Sequence, residues 1–571
     1  MFVVSQISAF SSFSQSKLQV LVLCKNQFYY FPALWPDTMS VAVNETDILE
    51  ILQAIEKHAS ETDPETASKE AIGVLTSLPR SEWSQIRAEL SLSEENQKSL
   101  HVIDSALFVL VLDDFTAPDI HKAAANMLHG TQTLIDKGDH FQNVGTCLNR
   151  WYDKLQLIVC ADGLSGVNFE HAAIDGHTAL RFVSDVVAET IISFAESITQ
   201  PIYGHGSIPH VLDAVVERAA LAVDDKGRPL LDVVPKKLLF TVQPSVMKRI
   251  SYAEAALCDQ MGANDTFVLE FVGYGKQFIV RNKLSPDSVV QMTILLAYYK
   301  LYGKVVCQYE PVLTKNFYHG RTEAMRSTTP QAKKLCEVWC DMRSTNEQKV
   351  EALRVATNEH SRLVKECAGG KGVDRHLFAL KSIAARRGDP TPAFFKSDAW
   401  KTLNHTILST SNCGNPSLRL FGFGPVVSDG FGVGYIIKDY GISYSVSSKH
   451  RQTSRYVRTL ETVLQELQSV LKPFDLVQVR TKTKLSEMAP TGGPPLSEQH
   501  QFSSSYDFYG EMASSRSARW ASSSQPTSFN SNDESVSSHS RFYSMVKRRG
   551  SVDLSDAPHI TLNLSDDEDG K

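Results

Sequence analysis

The sequence lacks any apolar run approaching the roughly 20 residues that a membrane-spanning helix needs. It also lacks an excess of charge of one sign. Lys and Arg number 58 and Asp and Glu 64 among 571 residues, so the net charge is −6. This balance argues against a dedicated nucleic-acid-binding protein. Hydrophobic residues make up 42% of the chain, which is typical of a soluble globular protein with a substantial core.

The sequence has few cysteines, and they have no regular spacing. The odd number, nine, predicts reduced thiols in an intracellular compartment. Cys336 and Cys340 can share one helix face, but no second pair with zinc-ligand spacing accompanies them, so core packing is favoured over a metal site. Neither an arginine-rich leader nor a peroxisomal C-terminus is present. The sequence therefore does not choose among mitochondrion, peroxisome and cytoplasm.

The composition changes once, near Thr481, where a segment rich in Ser, Pro, Gly and Asn begins. Such a segment cannot bury enough apolar surface to offset its conformational entropy, so we predict that residues 482–571 are disordered. Ser551 follows a Lys-Arg-Arg run and Ser565 precedes a run of acidic residues. Both resemble phosphorylation sites, which makes kinases expected partners; a merely solvated tail is the alternative.

The rest of the chain predicts an α/β protein. Apolar strands alternate with amphipathic helices, as in a mixed sheet with helices around it. The expected strands are 17–24, 27–31, 106–113 and 155–160. The expected helices are 48–59, a helix that begins after Ser285, and 456–471, with Pro473 ending the last of these.

One histidine stands where proton transfer is plausible. A Gly-rich turn after a strand leads to Asn168–Glu170, and His171 comes just before an expected helix start at Asp175-Gly176. Backbone acceptors at such a junction can fix one tautomer, and the ordinary histidine pKa near 6.5 suits a general base. A structural histidine is the alternative reading.

Three further segments carry candidate ligand-binding groups. Lys315, His319, Arg321 and Arg326 could hold a carboxylate or phosphate, or form a solvated basic loop. Arg375 heads an expected apolar helix, where it either binds a ligand or forms a surface ion pair. The hydroxyls of 409–411 either point a donor at an oxyanion or line a strand edge. The glycines of 422–434 lack the G-x-G-x-x-G register of a dinucleotide loop.

Taken together, these motifs resemble the carnitine/choline acyltransferase family from about Leu18 to Leu471. The matching segments are, in order, Asn149–Lys154, Glu170-His171 with Asp175-Gly176, Lys283–Asp287, Leu296–Gly303, Tyr309-Glu310, Gly320–Thr322, Asp374–His376, Ser409–Ser411 and Phe423–Pro425. The resemblance implies an α/β fold of two chloramphenicol-acetyltransferase-like domains, 18–240 and 241–475, with mixed sheets, flanking helices and an active-site tunnel at their interface.

The resemblance also implies the reaction. His171 would be the general base, Ser411 the donor to the oxyanion, and Asp175 the acid that orients the histidine. The acyl group would pass directly between CoA and carnitine without an acyl-enzyme, and CoA would be a co-substrate rather than a bound cofactor. A single oxyanion donor is typically worth about 10²–10³ in rate.

The family's binding residues match individual positions here. Those for carnitine are Tyr309, Thr322, Arg375, Ser409 and Phe423. Those for CoA are Lys276, Asp287 and, beside Val280 where a second lysine is usual, Arg281. The arginine at 375 favours carnitine over choline, because only carnitine has a carboxylate for a guanidinium. Phe421 stands where long-chain enzymes have glycine, so we expect it to block a long acyl pocket and to select acetyl or another short group.

Two departures from the family are expected. The family's N-terminal portion has no counterpart before Leu18, so residues 1–17 match nothing and the chain reads as truncated. An insertion at about 198–232 contains His205 and His210, a weak candidate metal pair that we interpret as a surface loop or helix. The alternative to an enzyme is a non-catalytic acyl-CoA or carnitine-binding paralogue regulated through its tail. A monomer without a bound metal is expected.

Overall fold

The computed structural model describes residues 19–35, 39–138, 141–172, 174–199, 234–449 and 452–487. Residues 1–17, most of the expected insertion with His205 and His210, and Ser551 and Ser565 lie outside these residues. The described part contains two six-stranded sheets with helices around them, and each sheet mixes parallel and antiparallel pairs. The expected α/β class with two mixed sheets is therefore confirmed.

The first sheet has the strand order β7-β6-β3-β1-β2-β8. Its strands are β1 (Gln19–Cys24), β2 (Gln27–Pro32), β3 (Val109–Asp113), β6 (Gln156–Cys160), β7 (Ser165–Asn168) and β8 (Lys236–Lys237), and a separate hairpin pairs β4 (Leu134–Asp136) with β5 (Phe141–Asn143). The β1–β2 turn places Lys25 and Asn26 at positive φ, a left-handed conformation that tight hairpins use.

The second sheet has the order β11-β10-β12-β13-β14-β9. Its strands are β9 (Asn264–Phe271), β10 (Gln308–Leu313), β11 (Thr322–Arg326), β12 (Leu408–Asn412), β13 (Phe431–Ile437) and β14 (Ile442–Lys449). β12 runs parallel to both of its neighbours, β10 and β13. The small hydroxyl residues of β12 therefore occupy an interior strand rather than a sheet edge.

Fourteen α-helices in the described part of the chain surround the sheets. They are α1 (Glu45–Ser60), α2 (Pro64–Lys69), α3 (Arg80–Leu90), α4 (Glu94–Ser105), α5 (Ile120–His129), α6 (Gly176–Thr199), α7 (Pro244–Ala263), α8 (Lys276–Arg281), α9 (Pro286–Tyr302), α10 (Pro330–Cys340), α11 (Asn346–Ala368), α12 (Asp374–Arg386), α13 (Asp398–Asn404) and α14 (Thr453–Glu487).

Helix α9 lies in the hydrophobic core beside the second sheet, and its sequence explains why. The Ser285 hydroxyl caps the N-terminus by accepting from the Ser288 amide, and Pro286 supplies the first-turn φ. Gly303, in the left-handed conformation, ends the helix. The residues from Ser288 to Tyr298 are all buried, which fits a helix packed on several sides. The expected capped helix is confirmed.

The last helix departs from the expectation. α14 begins at Thr453 and continues through Pro473 to Glu487, so the prediction that Pro473 ends it is wrong. A proline inside a helix removes one main-chain hydrogen bond, but the residues after it contain no further proline or glycine before Glu487. Residues 482–487, expected to open the tail, belong to this helix.

The Asn149–Lys154 motif is structural. The Arg150 side chain is almost fully buried and donates from Nη1 and Nη2 to the two carboxylate oxygens of Asp113, at 2.8 Å each. A buried arginine needs such a bidentate partner to offset its desolvation. Trp83 donates from Nε1 to Asp153 at 3.1 Å, which fixes the rest of the motif against α3. All nine cysteines are free thiols, as expected.

Candidate active site

The segment between strand β7 of the first sheet and helix α6 contacts the second sheet. Arg321, just before β11, binds Asp175, which directly precedes α6. Asn415, after β12, donates to the Ser184 hydroxyl of α6 at 2.5 Å. A Cβ placed on Gly176 would lie 3.5 Å from the Cys413 sulfur, so the start of α6 packs closely against the end of β12. These contacts bring the His171 loop beside the strands that carry the other candidates.

His171 lies in the turn before α6, as its sequence context predicts. Its Nδ1 is 2.8 Å from the carbonyl oxygen of Ile174, and 69% of its side chain is exposed. A carbonyl can only accept, so Nδ1 must carry the proton of the neutral ring. That hydrogen bond leaves Nε2 unprotonated, which is the state a general base requires.

Asp175 is buried beneath the histidine. Its Oδ1 lies 3.8 Å from His171 Nδ1, and its two oxygens accept from Arg321 Nε at 3.1 Å and Nη2 at 2.7 Å. The hydrogen bonds from Arg321 hold the pKa of the Asp175 carboxyl below its usual range. The carboxylate therefore stays charged beside the ring that would become an imidazolium on taking a proton.

Strands β10 and β12 present three candidates on one face of the second sheet. Tyr309 is the register partner of Ser409, so their side chains project from the same face. Ser411, two residues on, shares that face by the two-residue period of a strand. Ser409 is buried, whereas Tyr309 and Ser411 are half-buried. The hydroxyls expected to bind carnitine and the oxyanion thus lie on the same face of two adjacent strands.

Thr322 and Arg375 lie close to each other at the β11 edge of the second sheet, next to the strand that carries Tyr309. Arg375 Nε donates to the Thr322 carbonyl oxygen at 3.4 Å, and its backbone N–H donates to Glu323 Oε1 at 3.1 Å. Burial raises the pKa of the Tyr309 hydroxyl, while the adjacent Arg375 opposes that effect. The Arg375 side chain remains exposed, so its guanidinium can pair with a carboxylate brought by a ligand.

Glycines in β13 make room for the aromatic candidates. Gly432 and Gly434 are the register partners of Ser409 and Ser411. A Cβ on Gly434 would collide with the carbonyl oxygen of Phe421, so the Phe421–Phe423 segment crosses the site face directly over the strand. The rings of Phe421 and Phe423 lie 5.8 Å apart. The glycine-rich segment therefore serves a close backbone approach rather than a dinucleotide loop.

The expected CoA residues lie around the start of α9. Lys276 opens the short helix α8 and donates its backbone N–H to the Lys438 carbonyl at 2.8 Å. Arg281 ends α8 and is exposed, as is half of the Val280 side chain beside it. Asp287 is in the first turn of α9, where the helix dipole stabilises a carboxylate. Two cationic residues and an acid thus flank one helix start.

Asp287, Glu310 and His360 bring one ligand-type atom each to within 4.8 Å of one another. Both ring nitrogens of His360 already have partners, Ser288 Oγ at 2.9 Å and Glu310 Oε1 at 2.5 Å. A metal ion bound through either nitrogen would have to displace the partner of that nitrogen. The arrangement therefore fits a buried ion pair between Glu310 and His360 better than a metal site.

The structure separates the basic candidates of the 309–327 segment. Arg321 binds Asp175, and Arg326 binds Asp374 at the start of α12 at 2.8 Å, so both have carboxylates within the chain. Lys315 and His319 are exposed. Arg326 also lies over the Tyr309 ring, with its Cζ 5.6 Å from the ring centre, a contact that no local sequence pattern predicts. That contact depends on the Tyr309–Arg326 register of β10 and β11.

Comparison with known proteins identifies the family of the chain. The sequence model described as Choline/Carnitine o-acyltransferase matches residues 5–462, so the expectation that residues 1–17 match nothing in the family is wrong from residue 5 onward. The chain therefore belongs to the choline/carnitine O-acyltransferase family and is an acyltransferase by class. Within the described part of the chain, no helix combines the length and apolar character needed to cross a lipid bilayer.

Two relatives show how far the likeness extends. A putative mitochondrial carnitine O-acetyltransferase of Saccharomyces cerevisiae is 36% identical over 521 residues, which cover 86% of this chain and 72% of the relative. The mitochondrial carnitine O-palmitoyltransferase 2 of Homo sapiens is 34% identical over 457 residues, which cover 79% of this chain and 62% of the relative. The chain thus spans between three fifths and three quarters of these two proteins.

Proposed function

We propose that this chain transfers a short acyl group reversibly between CoA and carnitine. His171 Nε2 takes the proton of the carnitine hydroxyl as its oxygen attacks the thioester carbonyl. The Ser411 hydroxyl donates to the resulting oxyanion. The tetrahedral intermediate then expels the CoA thiolate, which takes the proton from His171, so that acylcarnitine and CoA leave.

The observation that carries this proposal is the hydrogen bond between His171 Nδ1 and the Ile174 carbonyl. It fixes the tautomer in which Nε2 is the base, and the exposure of the ring lets both substrates reach it. Asp175, charged and 3.8 Å away, stabilises the imidazolium that forms. General-base help of this kind is typically worth about 10²–10⁴ in rate.

Carnitine is the favoured acceptor. The exposed guanidinium of Arg375, together with Tyr309, Thr322 and Ser409, suits the carnitine carboxylate. The Phe423 ring offers a face for the trimethylammonium, a contact worth about 0.5–2 kcal/mol. Choline would leave Arg375 without a partner. Lys276, Arg281 and Asp287 are the proposed contacts of CoA, which acts as co-substrate with no other bound cofactor.

A short acyl group is the favoured donor, because the Phe421 carbonyl lies over Gly434 of β13 and a phenyl side chain at 421 would take up space that a longer acyl chain needs. The printed names of the relatives include both acetyl and palmitoyl transferases, so acyl length needs its own test. Rates with acetyl-, octanoyl- and palmitoyl-CoA should fall with length in the parent chain. Phe421→Gly should reverse that order, whereas Phe421→Leu should largely keep it.

The central test is carnitine-dependent thiol release from acetyl-CoA. His171→Ala should lower the rate about 10²–10⁴-fold and Ser411→Ala about 10²–10³-fold. His101→Ala, which removes an exposed histidine of α4, should leave it unchanged. Equal activity with choline, or an unaffected His171→Ala variant, would contradict the proposal.

A second candidate is a non-catalytic acyl-CoA or carnitine-binding protein regulated by phosphorylation at Ser551 and Ser565. The exposed Val280, where a phosphate-binding lysine is usual, favours it over a fully competent enzyme. CoA binding without thiol release would support this candidate. In either case we propose an intracellular monomer, with the mitochondrion as the compartment that the relatives' names suggest.

A further inference from the structure

The sheet face opposite the candidate site holds a buried hydrogen-bonded chain of polar side chains. Gln291 of α9 is at its centre and is fully buried, as are Gln308 and Thr410 of the neighbouring strands. Gln308 Nε2 donates to Gln291 Oε1 at 2.6 Å, so the Gln291 amide presents its Nε2 on the other side. That Nε2 donates to the Thr410 hydroxyl at 2.9 Å.

Tyr435 of β13 links these hydrogen-bonded side chains to the proposed CoA site. Gln291 Nε2 also donates to the Tyr435 oxygen at 2.9 Å, and the Tyr435 hydroxyl donates to Asp287 Oδ1 at 2.6 Å. The Tyr435 side chain is 1% exposed, so the hydroxyl has no access to a substrate in the solvent-facing site. Burial, followed by the nearby Asp287 carboxylate, raises the pKa of Tyr435 well above its usual value, and the hydroxyl keeps the proton that it donates.

The same carboxylate is tied to the strand that carries the oxyanion donor. Asn412, directly after Ser411, donates from Nδ2 to Asp287 Oδ1 at 3.1 Å. At the other end of this hydrogen-bonded network, the Thr410 hydroxyl donates to the backbone carbonyl of Tyr309 at 2.7 Å. Asp287 is thus held in register with β10 and β12, although it belongs to α9.

We propose that Tyr435 is a positioning residue: its buried hydroxyl orients the Asp287 carboxylate for CoA, although Tyr435 itself does not touch CoA. This inference rests on the proposed CoA contact of Asp287. Without the hydroxyl, Oδ1 loses its shortest donor, and among the residues that the structure describes Asn412, an exposed side chain, is its remaining hydrogen-bond donor. Thr322 and Arg375, the carnitine candidates at the β11 edge of the sheet, contact each other rather than Asp287, so we expect the effect to fall on CoA.

A matched pair of variants tests the proposal. Tyr435→Phe removes the hydroxyl that binds Asp287. Tyr444→Phe removes the hydroxyl of its cross-strand partner, which is equally buried and makes no hydrogen bond to Asp287. Tyr435→Phe should raise the Kd for CoA and the KM for acetyl-CoA about tenfold, with the carnitine KM unchanged. Tyr444→Phe should change neither, and both variants should keep a cooperative thermal transition.

A double variant separates positioning from a general loss of packing. Asp287→Asn should weaken CoA binding by itself, and adding Tyr435→Phe to it should weaken binding little further, because the hydroxyl acts through that carboxylate. Equal CoA affinity in Tyr435→Phe and Tyr444→Phe would overturn the inference alone. CoA binding without turnover in the parent chain would overturn the proposed catalysis and leave this inference standing. No CoA binding by the parent chain would overturn both.

Discussion

Arg321 holds both carboxylate oxygens of Asp175, and the same carboxylate lies 3.8 Å from His171 Nδ1. The histidine therefore does not rely on Asp175 for its tautomer, which the Ile174 carbonyl fixes. Asp175 instead supplies a fixed negative charge below the ring, and Arg321 keeps that charge in place. Because Arg321 precedes β11 and Asp175 precedes α6, one ion pair connects the His171 loop to the sheet that carries the proposed binding residues.

The first prediction concerns Asp175→Asn. The lowered pKa of Asp175 in the folded chain means that its pairing stabilises the fold above the ordinary Asp pKa, and that this contribution is lost as the pH falls through the folded value. The variant should be less stable than the parent by about 1 kcal/mol at pH 7, since Arg321 is half exposed. The difference should shrink below about pH 4. Thermal unfolding at both pH values measures it.

A control for this pair lies on the same helix. Asp185 binds Arg181 through an exposed ion pair, so Asp185→Asn should change neither stability nor turnover appreciably. Asp175→Asn should also lower kcat, because the imidazolium loses its nearby charge. Turnover equal to that of the parent, at every pH tested, would show that Asp175 serves only to dock α6.

Much of the fold followed from local sequence signals. The capped start of α9 and the apolar strands of the first sheet were predictable because caps, prolines and hydrophobic periods act within a few residues. The extent of α14 was not, because an internal proline disfavours a helix by a lost hydrogen bond and a clash with the preceding turn, and here the helix continues past Pro473 through residues that contain no further proline or glycine.

Part of the candidate site was likewise predictable from local motifs, and part of it was not. The motifs around His171, Ser411 and Arg375 carry residue types that the family resemblance interprets one by one. The roles of Tyr435 and Gln291 had no such signal, because each depends on contacts between segments more than 100 residues apart. The pairing of Arg321 with Asp175 was hidden for the same reason, and the basic segment was compatible with either an anion site or a solvated loop.

The second prediction tests Arg375. Arg375→Gln should raise the carnitine KM about ten- to a hundredfold with little change in the acetyl-CoA KM, because it removes the proposed charge-assisted contact to the carboxylate. Arg375→Lys should restore little, since an ammonium lacks the planar fork. Arg386→Gln, at the exposed far end of α12, is the matched control and should behave as the parent does. Equal carnitine KM values for the variants at 375 and 386 would remove Arg375 from the site.

The third prediction concerns the backbone crossing at Gly434. Gly434→Ala places a methyl group against the Phe421 carbonyl in a packed strand, so the chain should lose about 1–3 kcal/mol of stability and the carnitine KM should rise. Gly424→Ala is the control, because a Cβ there has nothing within 4 Å. Calorimetry and initial rates measure both variants. A Gly434→Ala protein as stable as Gly424→Ala would mean that the Phe421–Phe423 segment does not press on β13.

The last prediction uses the buried pair of Glu310 and His360. Burial alone would lower the pKa of His360, but the Glu310 carboxylate, with Asp287 nearby, raises it above the ordinary value. A raised pKa stabilises the fold fully below the ordinary histidine pKa, and that contribution disappears as the pH rises through the folded value. The melting temperature should therefore fall between pH 6.5 and pH 9. Glu310→Gln should lower stability by about 3–5 kcal/mol at pH 6.5 and flatten this slope.

The exposed pair of His405 and Asp429, 2.8 Å apart, provides the comparison, and His405→Gln should leave the slope of the parent unchanged. If Glu310→Gln fails to fold, His360→Gln tests the same slope, because it removes the proton carrier and leaves the carboxylate. A melting temperature equally steep in pH for the parent and either buried-pair variant would show that the proton shared by Glu310 and His360 does not control stability. Any disruption of a buried pair destabilises the fold, so a loss of stability alone does not test the prediction. Only loss of the titrating group removes the pH dependence of the melting temperature, so that dependence is the decisive measurement.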